Sequence, residues 1–156
     1  MSTILILTNS SGGLYDFRNE LLVRLLENNR VIISLPDETK VKELKEEGCE
    51  IITTPINRRG VSPAEDGKLF LAYMGLLRTI KPELVITYTI KPNIYGGFAC
   101  RLLRIPYITT ITGLGGAFDR KGLFLKMIVT MYRLGMKKAE CVFFQNTENR
   151  NIFANY

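Results

Sequence analysis

Four stretches combine cationic side chains, glycine and free backbone donors in a way that suits an anionic ligand. They are Asn9-Ser10-Ser11-Gly12-Gly13, Asn57-Arg58-Arg59-Gly60, Lys91-Pro92-Asn93 and Gly113-Leu114-Gly115-Gly116. Guanidinium groups such as Arg58 and Arg59 offer planar donors that fit phosphate oxygens two at a time. Lys91, held just ahead of Pro92, would act as a point charge beside a helix N-terminus. The Gly12-Gly13 segment could turn backbone N–H groups toward a phosphate. It is neither a Walker A loop nor a Gly-x-Gly-x-x-Gly fingerprint, however. Structural alternatives stand beside each of these. The glycine pair could serve a tight turn, the arginines a solvated loop, and Lys91 a surface position with its stem laid along apolar neighbours.

Other chemistries are poorly supplied. The chain has no histidine, so it holds neither a Ser-His nor a Cys-His pair. Cys49, Cys100 and Cys141 are far apart and form no Cys-x-x-Cys, which argues against zinc. They read as small buried apolar residues of a reducing compartment. Asp16, Glu20 and Asp66 fall near the loops of interest but read as helix-turn carboxylates. No general base is assigned, and no metal or other cofactor is expected.

These loops need elements to hold them, and the chain alternates strand-like and helix-like segments throughout. Apolar, β-branched runs occur at Thr3–Thr8, Arg30–Leu35, Cys49–Ile56, Glu83–Thr89, Pro106–Thr112 and Cys141–Asn146. Helix-period segments lie between them. One runs from about Leu14 to Asn29 with Leu14, Phe17, Leu21 and Leu25 on one face, and another carries Leu69, Tyr73, Leu76, Leu77 and Ile80. A charged helix is closed by Gly48, and one near Pro92 contains Gly96-Gly97, where close packing on the sheet is the favoured explanation. The expectation is an α/β fold: a Rossmann-like parallel sheet of about six strands with helices on both faces. The four loops would then share the carboxyl end of the sheet, where open parallel sheets bind ligands.

The 156 residues suit a single domain, 1–156. The last segment reads as a helix barely begun, which fits a fragment cut at a domain boundary at least as well as a natural terminus. Neither a signal peptide nor a membrane-spanning run is apparent, which predicts a soluble, cytoplasmic chain. Lys and Arg exceed Asp and Glu by 21 to 15, a net charge of +6 that favours an acidic partner. Nucleic acid ranks low, because no basic run is interleaved with aromatics. Between about Leu123 and Lys138, Lys126, Thr130, Arg133 and Lys137 form a narrow polar stripe on an otherwise apolar helix that includes Phe124. That stripe is either the outer face of a helix packed on the sheet or part of a surface for anionic lipid.

Three ordered motifs carry a resemblance over nearly the whole chain. They are Arg58-Arg59-Gly60 with Pro63 and Asp66, Tyr88-Thr89-x-Lys91-Pro92-Asn93-x-Tyr95-Gly96, and Thr112-Gly113-Leu114-Gly115. Together they resemble the N-terminal half of bacterial family 4 retaining glycosyltransferases, of the type that builds capsule, O-antigen and lipid-linked glycans. The resemblance implies one half of a GT-B architecture, with the C-terminal donor-binding domain absent from this chain. It implies transfer from a nucleotide-sugar donor to a polyprenyl-diphosphate-linked sugar at the inner face of the cytoplasmic membrane. Arg58, Arg59, Lys91, Asn93 and Tyr95 would meet the acceptor diphosphate, and Gly12 and Gly13 would face the donor phosphates. Gly113 and Gly115 would line the cleft, and Phe124, Lys126, Arg133 and Lys137 would face an anionic membrane surface. A fragment of this kind would be inactive alone. The alternative is a non-catalytic, membrane-associated recruitment module on the same fold.

Overall fold

In a parallel sheet covered on both sides, every strand residue meets a packed layer, so near-continuous apolar runs are the expected pattern. A computed structural model describes residues 1–58, 60–113 and 122–155. Its elements run β1 (Ser2–Leu7), α1 (Ser11–Leu26), β2 (Asn29–Leu35), α2 (Val41–Glu46), β3 (Glu50–Thr53), α3 (Pro63–Ile80) and β4 (Leu84–Tyr88). A π-helical turn, Pro92–Gly96, leads into α4 (Gly97–Leu103), followed by β5 (Tyr107–Ile111), α5 (Leu123–Met136), β6 (Cys141–Phe144) and α6 (Thr147–Ala154). All strand pairs are parallel and the order is β3-β2-β1-β4-β5-β6. The winding direction reverses between β1 and β4, where Ile4 to Leu7 align with Leu84 to Thr87. The expected fold class is the one observed.

Alternation along β1 divides the core. Ile4 and Ile6 pack with Leu14, Leu22 and Leu44 from α1 and α2, while Leu5 and Leu7 pack with Leu69, Tyr73, Leu77, Ala99 and Cys100 from α3 and α4. Farther along the sheet, Ile128 and Tyr132 of α5 join Ile94 and Ile111, and Phe153 of α6 meets Tyr132 edge to face at 5.2 Å.

Three glycines set how closely these layers approach. A Cβ on Gly96 would stand 2.6 Å from Leu7 Cδ1, and one on Gly97 would stand 2.4 Å from the Gly135 carbonyl oxygen. Gly135 in turn leaves no room for a Cβ beside the carbonyls of Asn93 and Ile94. The Tyr107 hydroxyl donates to that same Gly135 carbonyl at 2.6 Å. Close packing therefore accounts for Gly96-Gly97.

Several expectations are corrected. Helix α1 begins at Ser11, three residues early, because the Ser10 side chain caps it by accepting from the Gly13 N–H at 3.2 Å. Its buried stripe is Leu14 and Leu22, leaving Phe17 72% exposed. The charged helix is only Val41–Glu46. Cys49 and Cys100 are buried, with burial pushing their thiols up to about 11 and about 12, whereas Cys141 is exposed on the outermost strand.

Candidate functional site

The reversal between β1 and β4 opens a crevice at the carboxyl end of the sheet, and two hollows occupy it. The first, about 210 Å³, is lined chiefly by Thr8, Ser10, Gly13, Arg18, Tyr88 and Gln145. The second, about 250 Å³, is lined by Asn9, Ile56, Arg58, Ile90, Lys91 and Gly113. Thr89 and Thr112 belong to both.

The first hollow rests on the start of α1. Ser11 is fully buried and doubly tied, its amide donating to Asp37 at 3.1 Å and its hydroxyl donating to the same carboxylate. The Lys40 amide completes the tie by donating to the Ser11 hydroxyl oxygen at 3.0 Å. Gly12 and Gly13 have ordinary negative φ, and a Cβ on either would come no closer than 3.6 Å to another group. Neither a tight turn nor packing requires glycine at these two positions. Gly13 lines the first hollow, whereas Gly12 lines neither. Arg18, one helical turn past Leu14, stands with its guanidinium 5.9 Å from the centre of the Tyr88 ring. Sequence reading missed it by choosing the stripe through Phe17. A wheel through Leu14 and Leu22, four residues to either side, would have found it.

The second hollow is the basic one, and both of its cations are partnered. Lys91 Nζ lies 2.7 Å from Asp66 Oδ1, with the two side chains 13% and 6% exposed. The Ser62 amide donates to the other Asp66 oxygen at 3.3 Å. Lys91 is thus neither on a loop nor at the surface, and Asp66 is more than a helix-turn carboxylate. Arg58, 45% exposed, pairs with Asp37. Partial burial pushes the Asp37 carboxyl up, but the Ser11 hydroxyl and amide and the Arg58 guanidinium outweigh it and hold the group below the usual range. Asp37 therefore ties the start of α1 to Arg58 of the second hollow.

Not every expected residue comes to this crevice. Asn93 is fully buried and donates from its side-chain amide to the Thr110 carbonyl at 3.0 Å, so it fastens the π-helical turn to β5 and lines neither hollow. Tyr95 is half-buried between two core clusters, also outside both hollows. Burial and the neighbouring Asp66 carboxylate raise its phenol well above the usual range and keep it protonated. Arg59 and Gly115 lie outside the described residues. On α5, Phe124 packs against the third core cluster and is not the outward residue expected. Leu123, Met127 and Leu134 are the exposed apolar groups, beside exposed Lys126, Arg133 and Lys137. None of these lines either hollow.

A doubly wound sheet with its crevice at the winding reversal defines a Rossmann-like binding domain. The chain belongs to the glycosyl transferase 4-like family, whose model matches residues 4–146. It is 23% identical over 155 residues to N,N'-diacetylbacillosaminyl-diphospho-undecaprenol alpha-1,3-N-acetylgalactosaminyltransferase of Campylobacter jejuni, a match covering 96% of this chain and 41% of that protein. The chain thus spans about two-fifths of that relative's length. Among solved structures, Anabaena HepE in complex with UDP and glucose superposes with a TM-score of 0.70 at 15% identity, covering 99% of this chain and 41% of that one. Acinetobacter baumannii MurG superposes with a TM-score of 0.64 at 18% identity, covering 96% and 42%. At these identities the structural likeness speaks for the fold.

Proposed function

We propose that this chain is the acceptor-binding half of a retaining glycosyltransferase, one that moves a sugar from a nucleotide-sugar donor to a polyprenyl-diphosphate-linked sugar in surface polysaccharide or glycan biosynthesis. The observation that carries the reading is the basic hollow, where Arg58 and Lys91 converge beside Gly113 at the winding reversal. The Campylobacter relative supports it, because its name specifies a diphospho-undecaprenol-linked sugar. An acceptor diphosphate would compete with Asp37 for the Arg58 guanidinium, and the exposure of Arg58 leaves it free to turn. Lys91 would keep its carboxylate and offer its remaining N–H groups.

The donor would lie with its phosphates toward the Gly12-Gly13 helix start, held mainly by a second domain. In the reaction so envisaged, an acceptor hydroxyl oxygen bonds to the anomeric carbon as the sugar–phosphate bond breaks. The leaving nucleoside diphosphate keeps the electron pair and takes the acceptor's proton. This scheme draws no base, metal or cofactor from the present chain. The exposed face of α5, with Leu123 at 84% exposure and Lys126, Arg133 and Lys137 nearby, would rest on the anionic inner face of the cytoplasmic membrane. Among the described residues no helix is long and apolar enough to cross it.

An amide-shift titration tests the reading, first with a short-chain polyprenyl-diphosphate sugar and then with a nucleotide sugar. Shifts at Arg58, Lys91 and Gly113 with the lipid-linked ligand, lost in Arg58→Ala, are expected. Absence of any shift, alongside retained vesicle binding, would favour the non-catalytic recruitment module that the exposed α5 face also suits.

A further inference from the structure

Three non-glycine residues have positive φ among the described residues: Lys81, Thr89 and Arg104. Lys81 and Arg104 end α3 and α4 as left-handed caps, a common place for that conformation. Thr89 is different. It stands directly after β4, at φ 71, and is β-branched, the type of side chain that resists this region most. Glycine or asparagine would serve such a turn with less strain.

The Thr89 hydroxyl does nothing to offset the strain. Its oxygen is buried with no hydrogen-bond partner among the described residues. By contrast, Thr87 and Thr109 on the adjacent strands pair hydroxyl to hydroxyl at 3.2 Å. A strained backbone and an unpartnered hydroxyl both lower stability, so folding gives no reason for threonine here. Position does give one. Thr89 and Thr112 form the wall shared by the two hollows, and Lys91 stands two residues beyond. A turn about χ1 between staggered positions exchanges the hydroxyl with the methyl group. It would bring a donor to a side chain that the hollows already touch.

We infer that Thr89 is a ligand-contact residue whose hydroxyl donates to a phosphate oxygen of the diphosphate held by Arg58 and Lys91. The inference rests on the acceptor-diphosphate reading above. Lys91 and Arg58 are donors only, so the ligand between them presents acceptors, and the Thr89 hydroxyl can give its proton. The binding would end the isolation of that hydroxyl. It also places the diphosphate against the wall that separates the two hollows, so a group in the first hollow would lie next to it.

The test uses this chain with two probes, inorganic pyrophosphate and farnesyl diphosphate, in wild type, Thr89→Val, Thr89→Ser and Arg58→Ala. Thr89→Val keeps the branched shape and removes only the hydroxyl. It should bind farnesyl diphosphate about 10-fold more weakly or worse, the loss of one hydrogen bond to a charged group. Its melting temperature should be equal or higher, because a buried orphan is gone. Thr89→Ser, which keeps a hydroxyl, should bind within roughly 3-fold of wild type, since the full donor remains. Wild-type affinity in Thr89→Val, with Arg58→Ala weakened, would overturn this inference alone. So would a parallel loss of binding and melting temperature in both Thr89 variants, which is the mark of a structural role. If wild type binds neither probe, the acceptor reading falls and this inference with it. Pyrophosphate binding equal to farnesyl diphosphate binding would leave the contact standing and assign it to free phosphate as well as lipid-linked diphosphate.

Discussion

Lys91 lies 2.7 Å from Asp66 with both side chains nearly closed to water. Removing one member of such a pair strands the other, so Lys91→Ala should lower stability by about 3 kcal/mol. The double change Lys91→Met with Asp66→Leu should recover most of the melting temperature while diphosphate binding stays weak. Thermal melts and titrations on the two variants would separate support of the fold from ligand binding; full recovery of binding in the double variant would remove Lys91 from the site. Asp37 makes a prediction about acid. Its folded-state pKa is depressed, so its contribution is fully present above the ordinary aspartate value of about 3.9 and is lost as pH falls through the folded value. Amide signals of Ser11 and Arg58 should therefore shift together in that acid window. Asp37→Asn should abolish the shared transition. Independent titration of the two segments would show that Asp37 does not link them.

At the scale of elements, Gly97 and Gly135 hold α5 against the π-helical turn. Each would place a new Cβ under 3 Å from backbone atoms that have little room to yield. Gly97→Ala and Gly135→Ala should each destabilise by about 2–3 kcal/mol, measured by urea unfolding. An unchanged midpoint would mean the two segments separate readily. The outer face of α5 carries a different prediction. Leu123→Asp and Lys126→Glu should reduce binding to vesicles containing anionic lipid, with little change in melting because both side chains are exposed. Phe124 is unsuitable for that test, since it packs on the core. The helical period sets Leu123 and Phe124 about 100° apart on the wheel, and the seating of α5 on Ile94 and Ile111 decides which of the two faces the core.

At the scale of the whole molecule, one sheet brings residues 9, 58, 91 and 113 to a common edge, although they are scattered through the chain. The relative of known activity is more than twice as long as the matched region. We expect this chain to melt in a single transition and to show no sugar transfer by itself. A radiolabel transfer assay with lipid-linked acceptor and nucleotide sugar checks this, and turnover by the chain alone would reject the half-enzyme reading.

The parallel sheet of six strands with helices on both faces was legible from sequence, because apolar runs of strand length alternate with helix-period segments, whereas the strand order came only from the structure. Gly96-Gly97 was legible as packing for a similar reason: glycine inside a helix needs a close neighbour or a ligand. The partners of the charges were not legible. Asp37 meets Arg58 and Asp66 meets Lys91 across separations of 21 and 25 residues. Side-chain pairing at that range depends on where whole elements dock, and no local pattern records it. The same is true of Asn93, which looked like a loop ligand and became a buried clamp, and of Arg18, whose helix turned a different face to the sheet. Residue type and spacing determined the architecture and the sign of the site's charge. Tertiary packing decided which of those charges are neutralised, which are reachable, and which single strained threonine stands between the two hollows.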